Sequence, residues 1–139
     1  MPGARETLAH LSTAAHITQS VLTGNTRDVA RIKLETFGLH DYLDLTVGAY
    51  GDDDPHRPTL VTIARARATT QTVQFDEQTT VLIGDSLGDI ATARHGGARI
   101  IAVAAGGSSA TDLSSADAVI DDLADPHTVA DLIGSLVQS

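Results

Sequence analysis

The apolar positions along the chain switch between helical and strand-like spacing several times. Leu8 and Leu11 recur at helical spacing within Arg5 to Thr13, with Pro2 near the start. Ile17 to Leu22 is a short strand-like run closed by Thr23-Gly24-Asn25. Arg27 to Phe37 carries Val29, Ala30, Ile32, Leu34 and Phe37 at helical positions, and Gly38 stops it as a helix C-cap does. Leu45 to Ala49 is a second apolar strand, followed by the polar, turn-rich Asp52-Asp53-Asp54-Pro55. Pro58 to Ala68 reads as a helix with Leu60, Ile63 and Ala64 on one face. Thr79 to Ile83 is a third strand, Leu87 to His95 a short helix, and Arg99 to Ala104 a fourth strand. Ala118 to Ile120 is a short fifth strand, and Pro126 to Val137 closes the chain as a helix. Thr69 to Thr72 reads as an exposed loop.

Strands separated by helices of this length mean βαβ units, hence an α/β fold with a parallel sheet. Val81-Leu82-Ile83 and Ile100-Ile101-Ala102-Val103 are apolar at every position, as strands covered on both faces are. No repeat or linker divides the 139 residues, so residues 1–139 are expected to form one domain.

Composition narrows the function classes. Aromatics are only 3% of the chain, so the core must be built from Leu, Ile, Val and Ala. A formal net charge of −9 argues against nucleic-acid or anionic-membrane surfaces, which want Lys and Arg, and suits a cytoplasmic protein that holds a cation. The absence of Cys removes disulfides and zinc-thiolate sites, and the His residues lack H-x-H or H-E-x-x-H spacing. No apolar run approaches the ~20 residues of a membrane span. Met1 to Glu6 contains no signal-peptide apolar stretch.

In an open α/β sheet, ligands bind beyond the carboxyl ends of the strands. Thr23-Gly24-Asn25 follows the first strand, where a hydroxyl and successive backbone N–H groups suit an anion. The same residues also suit an ordinary helix N-cap. Gly84-Asp85-Ser86-Leu87-Gly88-Asp89 follows the third strand. Asp85 and Asp89 lie one turn apart, so their carboxylates fall on one side and suit a hard cation such as Mg²⁺. The competing reading is Asp85 as a cap and Asp89 as a first-turn dipole partner. Arg57, before Pro58, is a cation at a helix start, where the dipole disfavours it unless an anion is near. Gly106-Gly107-Ser108-Ser109 lacks G-x-G-x-x-G order and argues against a dinucleotide site, and the acid run Asp52 to Asp54 reads as a solvated loop.

These pieces, in this order, resemble the haloacid dehalogenase (HAD) superfamily, and within it the phosphoglycolate-phosphatase-like branch. Pro2-Gly3 before a helix resembles the segment that follows the family's cap domain. Val21-Leu22-Thr23-Gly24-Asn25 is similar to the second motif, and Arg57-Pro58 falls where the third has its Lys or Arg. Gly84-Asp85-Ser86-Leu87-Gly88-Asp89 matches the fourth motif, G-D-x-x-x-D, and Ala116 to Leu123 resembles the last strand and its loop. The resemblance implies a three-layer Rossmann-like core and a Mg²⁺-dependent phosphate monoester hydrolase acting on a small phosphorylated metabolite. It implies catalytic roles for Thr23, Arg57, Asp85 and Asp89. Thr23, Gly24, Asn25 and Arg57 would bind the phosphoryl oxygens, and Asp85 and Asp89 would serve the metal, Asp89 by supporting either its water shell or Arg57.

The chain departs from the pattern at one decisive point. Family enzymes open on D-x-D-x-T or D-x-D-x-V, whose first Asp attacks phosphorus. No D-x-D followed by Thr or Val on a strand occurs here, and no helical cap segment is present. The expectation is a core lacking its nucleophile strand, able to bind but not to turn over. The alternatives are a non-catalytic phosphate- or metal-binding regulatory module, and a receiver-type phospho-acceptor domain, against which the acid-poor start speaks. Removing that strand would leave unpaired edges, to be filled by a homodimer partner or a complementing N-terminal segment, or closed by pairing Ile17–Leu22 with Val81–Ile83. The substrate is not legible.

Overall fold

A computed structural model describes residues 3–105 and 109–137. Pro2 and the Gly106-Gly107-Ser108 stretch lie outside the described residues. The sheet is parallel and three-stranded, in the order β1 (Val81–Gly84), β2 (Arg99–Val103), β3 (Ala118–Ile120). Leu82 is in register with Ile100 and Ile101 with Ala118. Around it lie α1 (Ala4–Leu11), α2 (Arg27–Thr36), α3 (Arg57–Ala68), α4 (Leu87–Gly96) and α5 (Pro126–Val137).

The middle strand decides the layering. Ile100, Ile101, Ala102 and Val103 are all fully buried, and alternate residues face opposite sides. Ile100 and Ala102 join Val61 of α3 and Ile90 and Ala93 of α4 in one apolar cluster. Val103 joins Leu11 of α1, Leu123, and Val129 of α5 in the other. The order is therefore helix, sheet, helix, which is the three-layer α/β arrangement expected from strands apolar at every position.

The helix ends follow local chemistry. Gly38, at φ 70°, ends α2: its N–H donates to the Glu35 carbonyl and that of Leu39 to Leu34, the pairing of a left-handed C-terminal turn. Gly97, at φ 79°, ends α4, with its own N–H and that of Ala98 both donating to the Ala93 carbonyl. α1 starts on Gly3, where a Cβ would stand 2.2 Å from the Leu123 carbonyl oxygen. The buried Thr7 hydroxyl donates to that same carbonyl at 2.7 Å.

Two expected strands do not form. Ile17–Leu22 and Leu45–Ala49 meet only at one parallel bridge, Leu22 to Ala49. The third begins at Val81, because Glu77–Thr79 winds into a 3₁₀ turn capped by Asp76. The physical reason is the open edge of β1. Among the described residues β1 is paired on one side only, so Ile17–Leu22 has no ladder on which to extend. It does not close onto Val81–Ile83, although Leu22 packs against the first apolar cluster. Ile83, expected to be buried, is 37% exposed at this open edge.

The contrast between neighbouring strands is measurable. Ile101→Ala should cost about 2–5 kcal/mol, as truncation in a packed core does. Ile83→Ala should cost clearly less in the isolated chain. Urea midpoints of the two variants check this, and equal losses would mean that β1 is covered in solution.

Candidate phosphate and metal site

The fourth motif folds around one carboxylate. Ser86 caps α4: its hydroxyl accepts from the Asp89 N–H at 3.2 Å, while Asp89 Oδ2 accepts from the Ser86 N–H at 3.1 Å. This is a reciprocal capping box, and it assigns the cap to Ser86 rather than to Asp85. Asp89 Oδ2 also accepts from the Asp85 N–H at 2.9 Å and the Ser86 hydroxyl at 3.0 Å. The carboxylate therefore lies against Gly84, where a Cβ would stand 2.4 Å from it. That contact, rather than backbone freedom, is why position 84 must be glycine.

The other oxygen of Asp89 takes Arg57. Arg57 Nη2 donates to Asp89 Oδ1 at 2.8 Å, across the start of α3. An anion offsets the unfavourable placing of a cation at a helix N-terminus. Burial pushes the Asp89 carboxyl up, but the hydrogen bonds from Arg57 and Ser86 outweigh it and leave it below the usual carboxylate range. Arg57 Nε is buried without a hydrogen-bond partner among the described residues.

Asp85, at the end of β1, is partly exposed, and its carboxylate makes no hydrogen bond or ion pair among the described residues. Asp89, with its oxygens taken up by Arg57, the Ser86 hydroxyl and backbone N–H groups, stands behind it. No group of three or more His, Cys, Asp or Glu close enough to hold a metal ion occurs among the described residues. The donor set thus fits Mg²⁺ only in part: Asp85 can supply one oxygen, and the rest would come from water or from outside these residues.

The Thr23 turn follows directly on the Leu22–Ala49 bridge. The Thr23 N–H donates to the Ala49 carbonyl at 3.1 Å, and the Thr23 hydroxyl accepts from the Asn25 N–H at 3.1 Å. Thr26, not Thr23 or Asn25, is the cap of α2, accepting from the Val29 N–H at 3.3 Å. Gly24 is exposed, with open space around it.

Behind this turn the acid run does structural work that a solvated loop would not. The Gly51 N–H donates to the Asn25 carbonyl at 2.8 Å, and a Cβ on Gly51 would stand 2.0 Å from the Gly24 carbonyl oxygen. Asp52 accepts from the Arg27 N–H at 2.8 Å. Asp53 accepts from the Tyr50 N–H at 2.9 Å and is forked by Arg67 at 2.6 and 2.9 Å. Arg67 also donates to the Gly48 carbonyl, and Tyr50, 1% exposed, donates its hydroxyl to Leu45. The Arg27 guanidinium lies 4.8 Å from the centre of the Tyr50 ring. The sequence showed the acids but not their cation, because Arg67 lies on another element. The Ser86 cap, by contrast, has a local signal in the S-x-x-D spacing, although the sequence reading placed the cap at Asp85.

The expected residues thus fall into two groups: Arg57, Asp85 and Asp89 around the end of β1, and Thr23, Gly24 and Asn25 on the turn before α2. Two clefts, of about 400 and 310 Å³, are lined by other residues, the larger by Ile120, Asp122 and Asp125 among others.

Residues 1–103 match the family model described as haloacid dehalogenase-like hydrolase. A hydrolase of the haloacid dehalogenase-like family from Streptococcus pneumoniae superposes with a TM-score of 0.75 at 19% identity, over 95% of this chain and 59% of its own. A protein described as a phosphatase from Clostridium acetobutylicum gives 0.73 at 20% identity, over 99% and 60%. One described as a β-phosphoglucomutase from Thermotoga maritima gives 0.73 at 19% identity, over 95% and 60%. The chain therefore spans about three fifths of the length of these structures. Comparison with curated proteins gave no match.

The Asp89 pairing has a pH signature. A carboxyl lowered in the folded state stabilises fully above its unfolded pKa and loses that contribution as pH falls through its folded value. Arg57→Met should raise the Asp89 titration and start the acid loss of stability at higher pH than in wild type. Carboxyl NMR titration of Asp89 reads this directly, and an unchanged midpoint would mean that Arg57 does not set it.

Proposed function

The chain belongs to the haloacid dehalogenase-like hydrolases, and from that premise we propose that it is the binding half of a Mg²⁺-dependent phosphate monoester hydrolase. Thr23 and the Gly24 N–H bind phosphoryl oxygens, joined by the Asn25 N–H once it turns from the Thr23 hydroxyl that accepts it here, and Arg57 neutralises them. Asp85 contributes one oxygen to Mg²⁺, which supplies charge neutralisation at phosphorus when bound. Asp89 serves by orienting Arg57. The observation that carries this reading is the Arg57–Asp89 pair, which holds a guanidinium at 2.8 Å from a carboxylate hydrogen-bonded to the Asp85 N–H. The ligand class is a small phosphorylated metabolite, and the setting is cytoplasmic.

Phosphoryl transfer in this chemistry is positioning plus charge neutralisation around a nucleophile. No D-x-D followed by Thr or Val on a strand occurs in the sequence, so this chain by itself binds and does not turn over. That same observation favours a second reading, a regulatory module that retains a phosphate site. Calorimetry should give Mg²⁺ affinity on the order of millimolar, because one carboxylate leaves most ligands to water, and Asp85→Asn should abolish it. Equal heats in the two proteins would remove Asp85 from the metal. With p-nitrophenyl phosphate and Mg²⁺ no turnover is expected. A rate of about 1 s⁻¹ or more, lost in Asp85→Ala, would show that another carboxylate acts as nucleophile and would overturn the reading.

The open edge of β1 is filled, on this reading, by a strand from a second copy or from a complementing N-terminal segment. Unpaired buried backbone groups cost about 1–3 kcal/mol each, a large fraction of a domain's stability. Light scattering across a concentration series should show association. A monomer at all concentrations, with β1 amides strongly protected, would exclude an intermolecular partner.

A further inference from the structure

The acid loop lies between two parts of the site that the sequence keeps apart. We propose that Asp53, clamped by Arg67, is the positioning residue for the Thr23–Asn25 turn; this rests on the phosphate-binding reading of that turn. A direct contact makes each step of the connection. Arg67, at the far end of the helix that begins with Arg57, forks both oxygens of Asp53. Asp53 holds the Tyr50 N–H, and the Asp53 N–H donates back to the Tyr50 carbonyl at 2.9 Å, which closes the loop on itself. The closed loop presents three groups to the turn: the Gly51 N–H to the Asn25 carbonyl, the Asp52 carboxylate to the Arg27 N–H, and the Tyr50 ring to the Arg27 guanidinium.

One of these contacts holds a carbonyl of the turn, that of Asn25, and the other two hold Arg27, two residues beyond it. A turn anchored at the Asn25 carbonyl and at Arg27 is held in one orientation, which is what an anion cradle requires. Gly51 is integral, since its Cβ would collide with the Gly24 carbonyl. The bidentate guanidinium and the Tyr50 N–H hold the Asp53 carboxyl down at about 2, so it stays charged and the clamp stays closed throughout neutral and mildly acidic pH. One α-helix, α3, thus carries the cation Arg57 at its start and, at its end, the clamp that orients the turn. The two halves of the site become parts of one rigid body.

The test uses the full chain labelled with ¹⁵N. In Asp53→Asn, and independently in Arg67→Lys should the first fold poorly, amide shifts should move at Gly24, Asn25 and Arg27. Exchange at Gly51 and Arg27 should speed up about tenfold, the ratio that loss of a charge-assisted hydrogen bond produces. Amides of β2 and α4 should stay put. Arg94→Met, which breaks the comparably exposed Arg94–Asp117 pair, controls for general destabilisation and should leave the turn unmoved. Unmoved Gly24–Arg27 amides in Asp53→Asn would overturn the proposal, as would equal movement in Arg94→Met. Titration with inorganic phosphate separates the two ideas. Moving amides without phosphate binding in wild type would keep the positioning role and sink the phosphate reading. Phosphate binding with unmoved amides would do the reverse.

Discussion

The carboxylate of Asp89 joins the end of β1, the start of α4 and the start of α3. Its four hydrogen bonds on one oxygen or the other come from two backbone N–H groups, a hydroxyl and a guanidinium. Each donor is an orphan by itself: N–H groups beyond a strand end, a cap hydroxyl, and a cation at the wrong end of a helix dipole. One anion satisfies all of them, and Gly84 leaves room for it to lie flat against the chain. The pair is more than a surface ion pair because the side chain of Asp89 is only 20% exposed and bound from several directions.

The second constraint is the one-sided pairing of β1. β2 is sealed by neighbours on both sides and by apolar clusters on both faces, so it is the rigid axis of the domain. β1 shares that axis but offers its other edge, with Ile83 and Leu87 exposed next to it. The segments that would continue the sheet beyond it, Ile17–Leu22 and Leu45–Ala49, retain their apolar character and part of their burial. Among the described residues they share one parallel bridge and no ladder with β1. The α2 helix between them is thinly covered as well, with Val29 and Ile32 and its C-cap Phe37 exposed and Ala30 alone buried.

Position along the chain and position in space part company most clearly in the loop before α3. Asp52 and Asp53 stand in a run of acids that composition alone assigns to solvent. In the fold, one accepts from the first N–H of α2 and the other is forked by Arg67. The loop is thereby tied to α2 on one side and to α3 on the other, although its own backbone forms no regular element.

Periodicity determined five helices, the three strands of the parallel sheet and the helix-sheet-helix order. Those patterns report burial of side chains on one or both faces, and burial is a local property of each segment. The C-cap at Gly38 was legible for the same reason, since caps are made by residues within a turn of one another; the Ser86 box and Gly97 carry equally local signals, but the sequence reading gave the cap of α4 to Asp85. Sequence order also placed Thr23, Arg57, Asp85 and Asp89 at element ends. What only the tertiary structure decided was partnership. The strand patterns of Ile17–Leu22 and Leu45–Ala49 could not produce ladders without a neighbour at β1. Asp89 turned to Arg57, and Asp53 found Arg67 at a distance no spacing rule relates. A strand or a charge is completed by what lies across from it, and that is fixed by packing rather than by order along the chain.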